Sequence, residues 1–264
     1  MLILLSPAKT LDFTPSERDL PTSMPVLHSD AKKLASVAKE LSVEEVAELM
    51  GLSDKLAQTA HGYLQTWKAK ADAKGAKQAA LAFRGDVYQG LHADSLTDKQ
   101  LEKSQQHLRI LSGLYGVLRP LDLIQPYRLE MGRKLANPRG KDLYAWWGER
   151  VTAAMNVDLA DATPRGKQPT VINLASNEYV AVVNKKRLQA EIITPAFKDF
   201  KNGKYKIISF YAKRARGLMA RWLLKTGGKK PLQEFSAEGY VYNVQLSSEQ
   251  TPVFTREQPE SSTD

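Results

Sequence analysis

Residues 2–5, Leu-Ile-Leu-Leu, form an unbroken apolar run that stops at Ser6-Pro7, the mark of a short buried strand. The loop Ser6-Pro7-Ala8-Lys9-Thr10 follows, and prolines punctuate the chain as far as Pro25. Residues 29–73 carry apolar positions at helical spacing, with breaks near Ser42 and Gly51. Residues 76–83 read as a further helical or strand piece, closed by the turn signal Arg84-Gly85-Asp86. A helix is expected over residues 98–111, ended by Ser112-Gly113-Leu114-Tyr115-Gly116, and an amphipathic one over 141–155. The polar stretch 156–170 reads as a surface loop. Residues 171–174 are again a buried strand, with Ser176 placed to cap a helix behind it.

The clearest local signal is Asn202-Gly203 between residues 191–200 and 204–211. A type I′ hairpin needs positive φ at both central positions, and Asn-Gly supplies it. A helix over residues 212–225 comes next. At about 100° per residue, Ala215, Leu218, Met219, Trp222 and Leu223 fall on one arc, and Lys213, Arg214, Arg216, Arg221 and Lys225 on the other. The tail from Ser247 to Asp264 is polar enough to be disordered. No internal repeat or compositional boundary divides the rest, so a mixed α/β chain with one domain over residues 1–246 is expected.

Composition narrows the chemistry. At 264 residues and 42% hydrophobic, the chain can bury a sizeable core. It has no cysteine, which excludes disulfides, thiolate ligands and a thiol nucleophile and fits a reducing compartment. The N-terminal stretch lacks the basic region and apolar length of a signal peptide, and no window reaches the roughly 18 apolar residues of a membrane span. A cytoplasmic location is the expectation.

The net charge of +9 is concentrated. Residues 203–233 hold nine basic side chains and no acidic one. Removing those nine from the 38 Lys and Arg leaves 29, matched by 29 Asp and Glu. A localised surplus of this kind suits a polyanion, although a solvated basic face would look the same. Lys213, Arg214 and Arg216 also fall in the first turn of their helix, where the dipole is positive and an anion would relieve both.

A second element pairs two helices round Gly51-Leu52-Ser53. The spacing is that of a helix-hairpin-helix, in which small residues at the tip and an early basic residue, here Lys55, hold a DNA phosphate. Ser53 stands where the motif has a second glycine, and an ordinary αα-corner with Leu49, Leu52 and Leu56 in the core is the competing reading. Ser112 to Gly116, between Arg109 and Arg119, is a weaker hairpin candidate because Pro120 interrupts its second helix. The four histidines show no metal-ligand spacing, so no metal or cofactor is expected. Asp86, Glu130, Glu178 and Glu238 stand beside glycine or aromatic turns, and two of them could form an acid/base pair in a cleft.

Several long strings are those of a known family. Leu5-Ser6-Pro7-Ala8-Lys9-Thr10-Leu11-Asp12, Phe83-Arg84-Gly85-Asp86-Val87-Tyr88, the run 105–132, Ile172-Asn173-Leu174-Ala175-Ser176 and the run 207–219 resemble the YaaA family of bacterial peroxide-stress proteins. The likeness extends to about Tyr242. It implies a single compact α+β domain, with a mixed sheet surrounded by helices, a helix-hairpin-helix-like element and a basic cleft. It also implies DNA binding, including branched or distorted duplexes, and the limiting of iron-driven damage, with no established catalytic reaction.

Two functions remain open on the sequence. The first is a DNA-binding protein, monomeric by preference, that reads phosphates and shape through Lys9, Gly51, Ser53, Lys55, Arg84, Arg109, Arg119, Lys213, Arg214, Arg216 and Arg221. The second is an enzyme acting on a phosphorylated small molecule or a nucleobase, with Lys9, Arg84 and Lys213 gathering anionic groups and Asp86 or Glu130 as general base. A closed ligand-sized pocket would favour the second and a long groove the first. A third use of the basic helix, docking an acidic protein partner, would need an apolar patch beside it.

Overall fold

The computed structural model describes residues 1–16, 18–69 and 75–257. Strand β1 (Leu2–Leu5) and the short β2 (Thr10–Leu11) precede three helices, α1 (His28–Lys39), α2 (Val43–Met50) and α3 (Asp54–Thr66). The helical pattern expected over residues 70–73 falls outside the described residues. Four short elements come next: β3 (Lys77–Gln78), α4 (Ala79–Ala82), β4 (Phe83–Arg84) and α5 (Asp86–Leu91). Then come α6 (Asp98–Ser104), β5 (Leu108–Ser112), β6 (Gly116–Leu118), β7 (Leu123–Ile124), α7 (Leu143–Trp147) and α8 (Arg150–Ala162). The last third holds β8 (Thr170–Asn173), α9 (Asn177–Val180), β9 (Glu191–Ile193), β10 (Ala196–Lys201) and β11 (Lys204–Lys206). It closes with α10 (Ser209–Thr226), β12 (Val241–Tyr242) and β13 (Val253–Glu257).

The main sheet has the order β6-β5-β1-β8-β9. β1 lies at its centre, parallel to β5 and β8, with Ile3 opposite both Leu108 and Ile172. All four β1 side chains are fully buried, as an unbroken apolar strand covered on both faces requires. A second sheet, β11-β10-β13-β12, carries α10 on one side. Its core is aromatic: Phe197 meets Phe235, Tyr240 and Phe254 at centroid distances of 6.1, 5.5 and 5.6 Å. Both sheets and their helices share one hydrophobic core, so the chain folds as a single α+β unit.

Local signals explain many boundaries. Ser42 and Glu45 form a capping box at the start of α2, each side chain accepting from the other's N–H at 3.2 and 2.7 Å. Gly51 ends α2 in the left-handed conformation at φ 63°. The Asn202-Gly203 turn joins β10 to β11 with φ of 55° and 76°, as a type I′ turn demands.

Three expectations need correction. The helix over residues 98–111 stops at Ser104, and Leu108 to Ser112 become an inner strand of the main sheet. A short apolar run fits either period, and tertiary pairing with β1 decides it. The loop expected over 156–170 is helical as far as Ala162, because Asp158 and Leu159 face inward. The tail from Ser247 is ordered to Glu257: β13 pairs in parallel with β10, Phe254 opposite Phe197. Val253, Phe254 and Thr255 supply a buried strand that the polar flanks conceal. Residues 258–264 lie outside the described residues.

Candidate functional site

In sheets with parallel strands, ligands gather beyond the carboxyl ends. Here the loops leaving β1 and β8 meet across such an end. The Ser176 N–H donates to Ser6 Oγ at 2.9 Å, the two hydroxyls lie 3.3 Å apart, and Tyr88 Oη donates to the Ser6 carbonyl at 3.0 Å. Ser176 stands at the N-cap of α9, yet its side chain serves this junction and makes no cap bond. A cavity of about 420 Å³ opens there, walled by the Ser6 to Thr10 loop, Arg84 to Tyr88, Tyr127 to Glu130, the β8–α9 junction, and Lys213 and Arg216 of α10. That volume is within the range of small-ligand sites, roughly 300–1,000 Å³.

Packing brings α10 to the cavity. Gly217 on α10 and Gly90 on α5 cross so closely that an ideal Cβ at Gly217 would lie 1.8 Å from the Val87 carbonyl oxygen. One at Gly90 would lie 2.1 Å from the Arg214 carbonyl oxygen. Two helices meet here backbone to backbone, and Lys213 and Arg216 are carried to the cavity wall.

The charges are unevenly matched. Arg84 is held by Asp12 at 2.9 Å and Asp94 at 3.1 Å. Hydrogen bonds from Thr14, then from Arg84, keep the Asp12 carboxyl well below the usual carboxylate range. Lys9, well exposed, reaches Glu130 Oε1 at 3.3 Å. Glu130 Oε2 accepts from Arg133 Nε at 2.8 Å. Lys213 and Arg216 enter no ion pair among the described residues. Burial lowers the pKa of the Arg216 guanidinium, with no acidic neighbour to offset it. Asp86 and Glu178 complete the acidic side, Glu178 accepting from the Gly132 N–H at 2.9 Å.

The expected site residues separate into groups. Lys9, Arg84, Lys213 and Arg216 converge on the cavity. Gly51, Ser53 and Lys55 are exposed at the α2–α3 corner, away from it. There the N–H groups of Gly51 and Leu52 are spent closing α2, on Glu48 and Ala47 carbonyls. A phosphate at this corner would therefore meet the first turn of α3. Arg133 links the corner to the cavity: its guanidinium holds Glu130 and also donates to the Leu49 carbonyl at 3.4 Å.

Four arginines have internal duties. Arg109 is buried and donates to Asp158 at 2.6 Å, and Arg119 binds the other oxygen of the same carboxylate. A buried guanidinium so paired cannot receive a phosphate, which removes Arg109 from the expected set. Arg214 is bound by Glu238, with its Nε 2.9 Å from both carboxylate oxygens. Arg221 donates to the Leu91 and His92 carbonyls at 3.0 and 2.8 Å. Asp86, Glu130 and Glu178 share the cavity, whereas Glu238 lies apart on Arg214. Sequence reasoning missed Arg128 and the wall tyrosines Tyr88, Tyr127 and Tyr179; Arg128 lies in an irregular segment whose spacing shows no face.

A family model described as peroxide stress protein YaaA matches residues 1–246. The chain belongs to this family. Among relatives, a UPF0246 protein of Alcanivorax borkumensis is 51% identical over 97% of this chain and 98% of its own length. One from Janthinobacterium sp. is also 51% identical, over 97% and 98%. One from Idiomarina loihiensis is 50% identical over the same shares. The five strings that carry the resemblance to the YaaA family, scattered from Leu5 to Met219, all contribute to the wall of the same cavity. No helix among the described residues is long and apolar enough to cross a membrane.

Proposed function

We propose that this YaaA-family chain takes part in peroxide stress by binding DNA. Lys213 and Arg216, with the exposed Lys9, would contact backbone phosphates at the cavity mouth, and Ser53 and Lys55 at the first turn of α3 would form a second contact. The observation that carries the reading is the pair Lys213 and Arg216, cations on one wall with no carboxylate among the described residues to meet them. A bound phosphate supplies the missing charge, and Arg216 offers it a fork of N–H donors. The chain has no thiol with which to reduce peroxide. Protection then works at the nucleic acid, the target of iron-driven oxidation.

Arg84, Arg109, Arg119, Arg214 and Arg221 are engaged by the protein's own groups, so about two to four phosphates are neutralised and log K falls against log salt with a slope of about −2 to −4. Fluorescence anisotropy on duplex, single-stranded and junction DNA between low and moderate salt measures it. Charge reversal at Lys213 and Arg216 weakens all sequences alike, since phosphates carry no sequence information. A slope near zero, or unchanged affinity in that variant, refutes the proposal.

A second reading rests on a different observation. The cavity is ligand-sized and contains Asp86, Glu130 and Glu178 beside its cations, which suits an enzyme acting on a phosphorylated small molecule or a nucleobase, with one carboxylate as general base. Turnover of such a compound, lost on replacing Glu130, would establish it.

A further inference from the structure

The entry to α10 carries an apolar pair set among cations. Ile207 is 57% exposed and Phe210 54%. Single exposed apolar side chains are ordinary, but these two stand three positions apart, inside the stretch with nine basic side chains and no acidic one. Phe210, Lys213 and Arg216 follow at three-residue spacing, which makes them neighbours along one ridge of α10. The last two line the cavity, so the ridge runs from the exposed ring to the cavity wall. Lys204, Lys206 and Lys213 enter no ion pair among the described residues.

The exposed ring is braced by the fold. Its centroid lies 3.9 Å from that of Tyr211. The Arg256 guanidinium sits over the Tyr211 ring at 4.5 Å, and Arg256 Nε donates to the fully buried Asp199 at 2.7 Å. A chain of contacts thus links a buried ion pair to Phe210, and little side-chain freedom remains to be lost on binding. An apolar group held rigid, exposed and flanked by unpaired cations suits a partner that is polyanionic outside and apolar within. Duplex DNA is built that way, with phosphates on the rim and stacked bases inside. An acidic protein shares the charge, but a stable protein interface buries about 800 Å² per partner, far more than two side chains at a helix end supply.

We propose that Phe210, with Ile207 three residues before it, is a wedge that enters a base step of duplex DNA while Lys213 holds a flanking phosphate. Proteins that kink DNA insert Phe and Ile side chains in this way and partly unstack the step. The proposal rests on the DNA reading above and deepens it. Phosphate contacts supply affinity blind to sequence, and the wedge adds a local opening of the stack.

The test uses the whole chain and a short duplex in which 2-aminopurine, a base quenched by stacking, replaces the adenines of one strand. Anisotropy of an end label follows binding, and 2-aminopurine fluorescence follows unstacking. The unaltered protein should raise that fluorescence at saturation. Phe210→Ala should abolish the rise and weaken binding roughly tenfold, the order of one base–aromatic contact, at an unchanged slope of log K against log salt. Phe210→Leu, still an apolar wedge, should keep part of the rise. Lys213→Ala should do the converse of Phe210→Ala, lowering the slope by about 1 while the bound DNA still shows the rise. Urea midpoints confirm that each variant is folded. DNA bound with its salt slope but without a 2-aminopurine rise overturns the wedge and leaves the DNA reading standing. So does a Phe210→Ala variant that keeps both affinity and rise, which would leave the apolar pair to an acidic protein partner. No anisotropy change with any DNA ends both.

Discussion

Replacing Gly217 by alanine sets two effects of opposite sign against each other where α5 and α10 cross. In an isolated helix the change is favourable by about 1 kcal/mol, because glycine loses more backbone entropy on ordering. In this fold the new methyl would lie 1.8 Å from the Val87 carbonyl oxygen and 2.7 Å from the Leu91 nitrogen, where real Cβ atoms essentially never come within 3.0 Å. The obstructing atoms are backbone and cannot turn aside, so the helices must part by more than 1 Å. Overpacking of this kind costs about 1–3 kcal/mol, with a backbone clash at the upper end. The clash wins, and a net loss of about 1–2 kcal/mol is expected. Urea unfolding reads it as a lower midpoint at unchanged slope. Because α10 carries Lys213 and Arg216, DNA affinity should also fall in the folded variant. Gly90→Ala at the same crossing should fall short of additivity with it, since one separation relieves both clashes. A rise in the urea midpoint of Gly217→Ala would refute the close-packing argument.

Other outcomes depend on buried polar groups. Asp158→Asn leaves the buried Arg109 guanidinium without its counter-ion and should cost about 3 kcal/mol or more. Burial opposes ionisation of Asp158, but Arg109 and then Arg119 prevail and hold its carboxyl below the ordinary value. A depressed carboxyl contributes stability that is present above the unfolded pKa, about 3.9, and is lost as pH falls through the folded one. Urea midpoints from neutral pH down to about pH 3 should therefore fall less steeply in the variant; parallel acid limbs would contradict the assignment. Tyr240→Phe removes a 2.8 Å hydrogen bond to the fully buried Asp199 and should cost about 1.5–3 kcal/mol, measured by the same unfolding assay. Burial and Asp199 both push the Tyr240 hydroxyl up, so the loss should be constant from pH 6 to about pH 9.

Short-range chemistry was readable in the sequence, and long-range pairing was not. The Asn202-Gly203 turn, the β1 strand and the breaks at Ser42 and Gly51 depend on neighbours a few residues away, and all stand as expected. Residues 108–111 read as the end of a helix because their strand character comes from β1, a hundred residues upstream. Residues 253–257 read as a polar tail because their partner, β10, is equally remote from local view. The site divides in the same way. Lys9, Arg84, Lys213 and Arg216 were identifiable from charge and turn chemistry. Arg109, Arg119, Arg214 and Arg221 share that charge, and only the fold reveals that Asp158, Glu238 and two carbonyls have claimed them. Glu130 was visible as one carboxylate among several. That its carboxylate is gathered by Lys9, Arg128 and Arg133 together is a property of packing.

The placing of β1 bears on how the protein is made and lost. Ile3 finds its sheet partners at Leu108 and Ile172, so the central strand waits for one distant segment before its first edge is zipped and for a still more distant one before its second. Bringing such distant segments together costs entropy before any contact repays it, which makes assembly slow and all-or-none. Loops that wall the cavity leave these same strands, so a half-built molecule lacks the cavity altogether. Any substitution that erodes stability should accordingly lower the number of working molecules in the cell, without producing partly active ones.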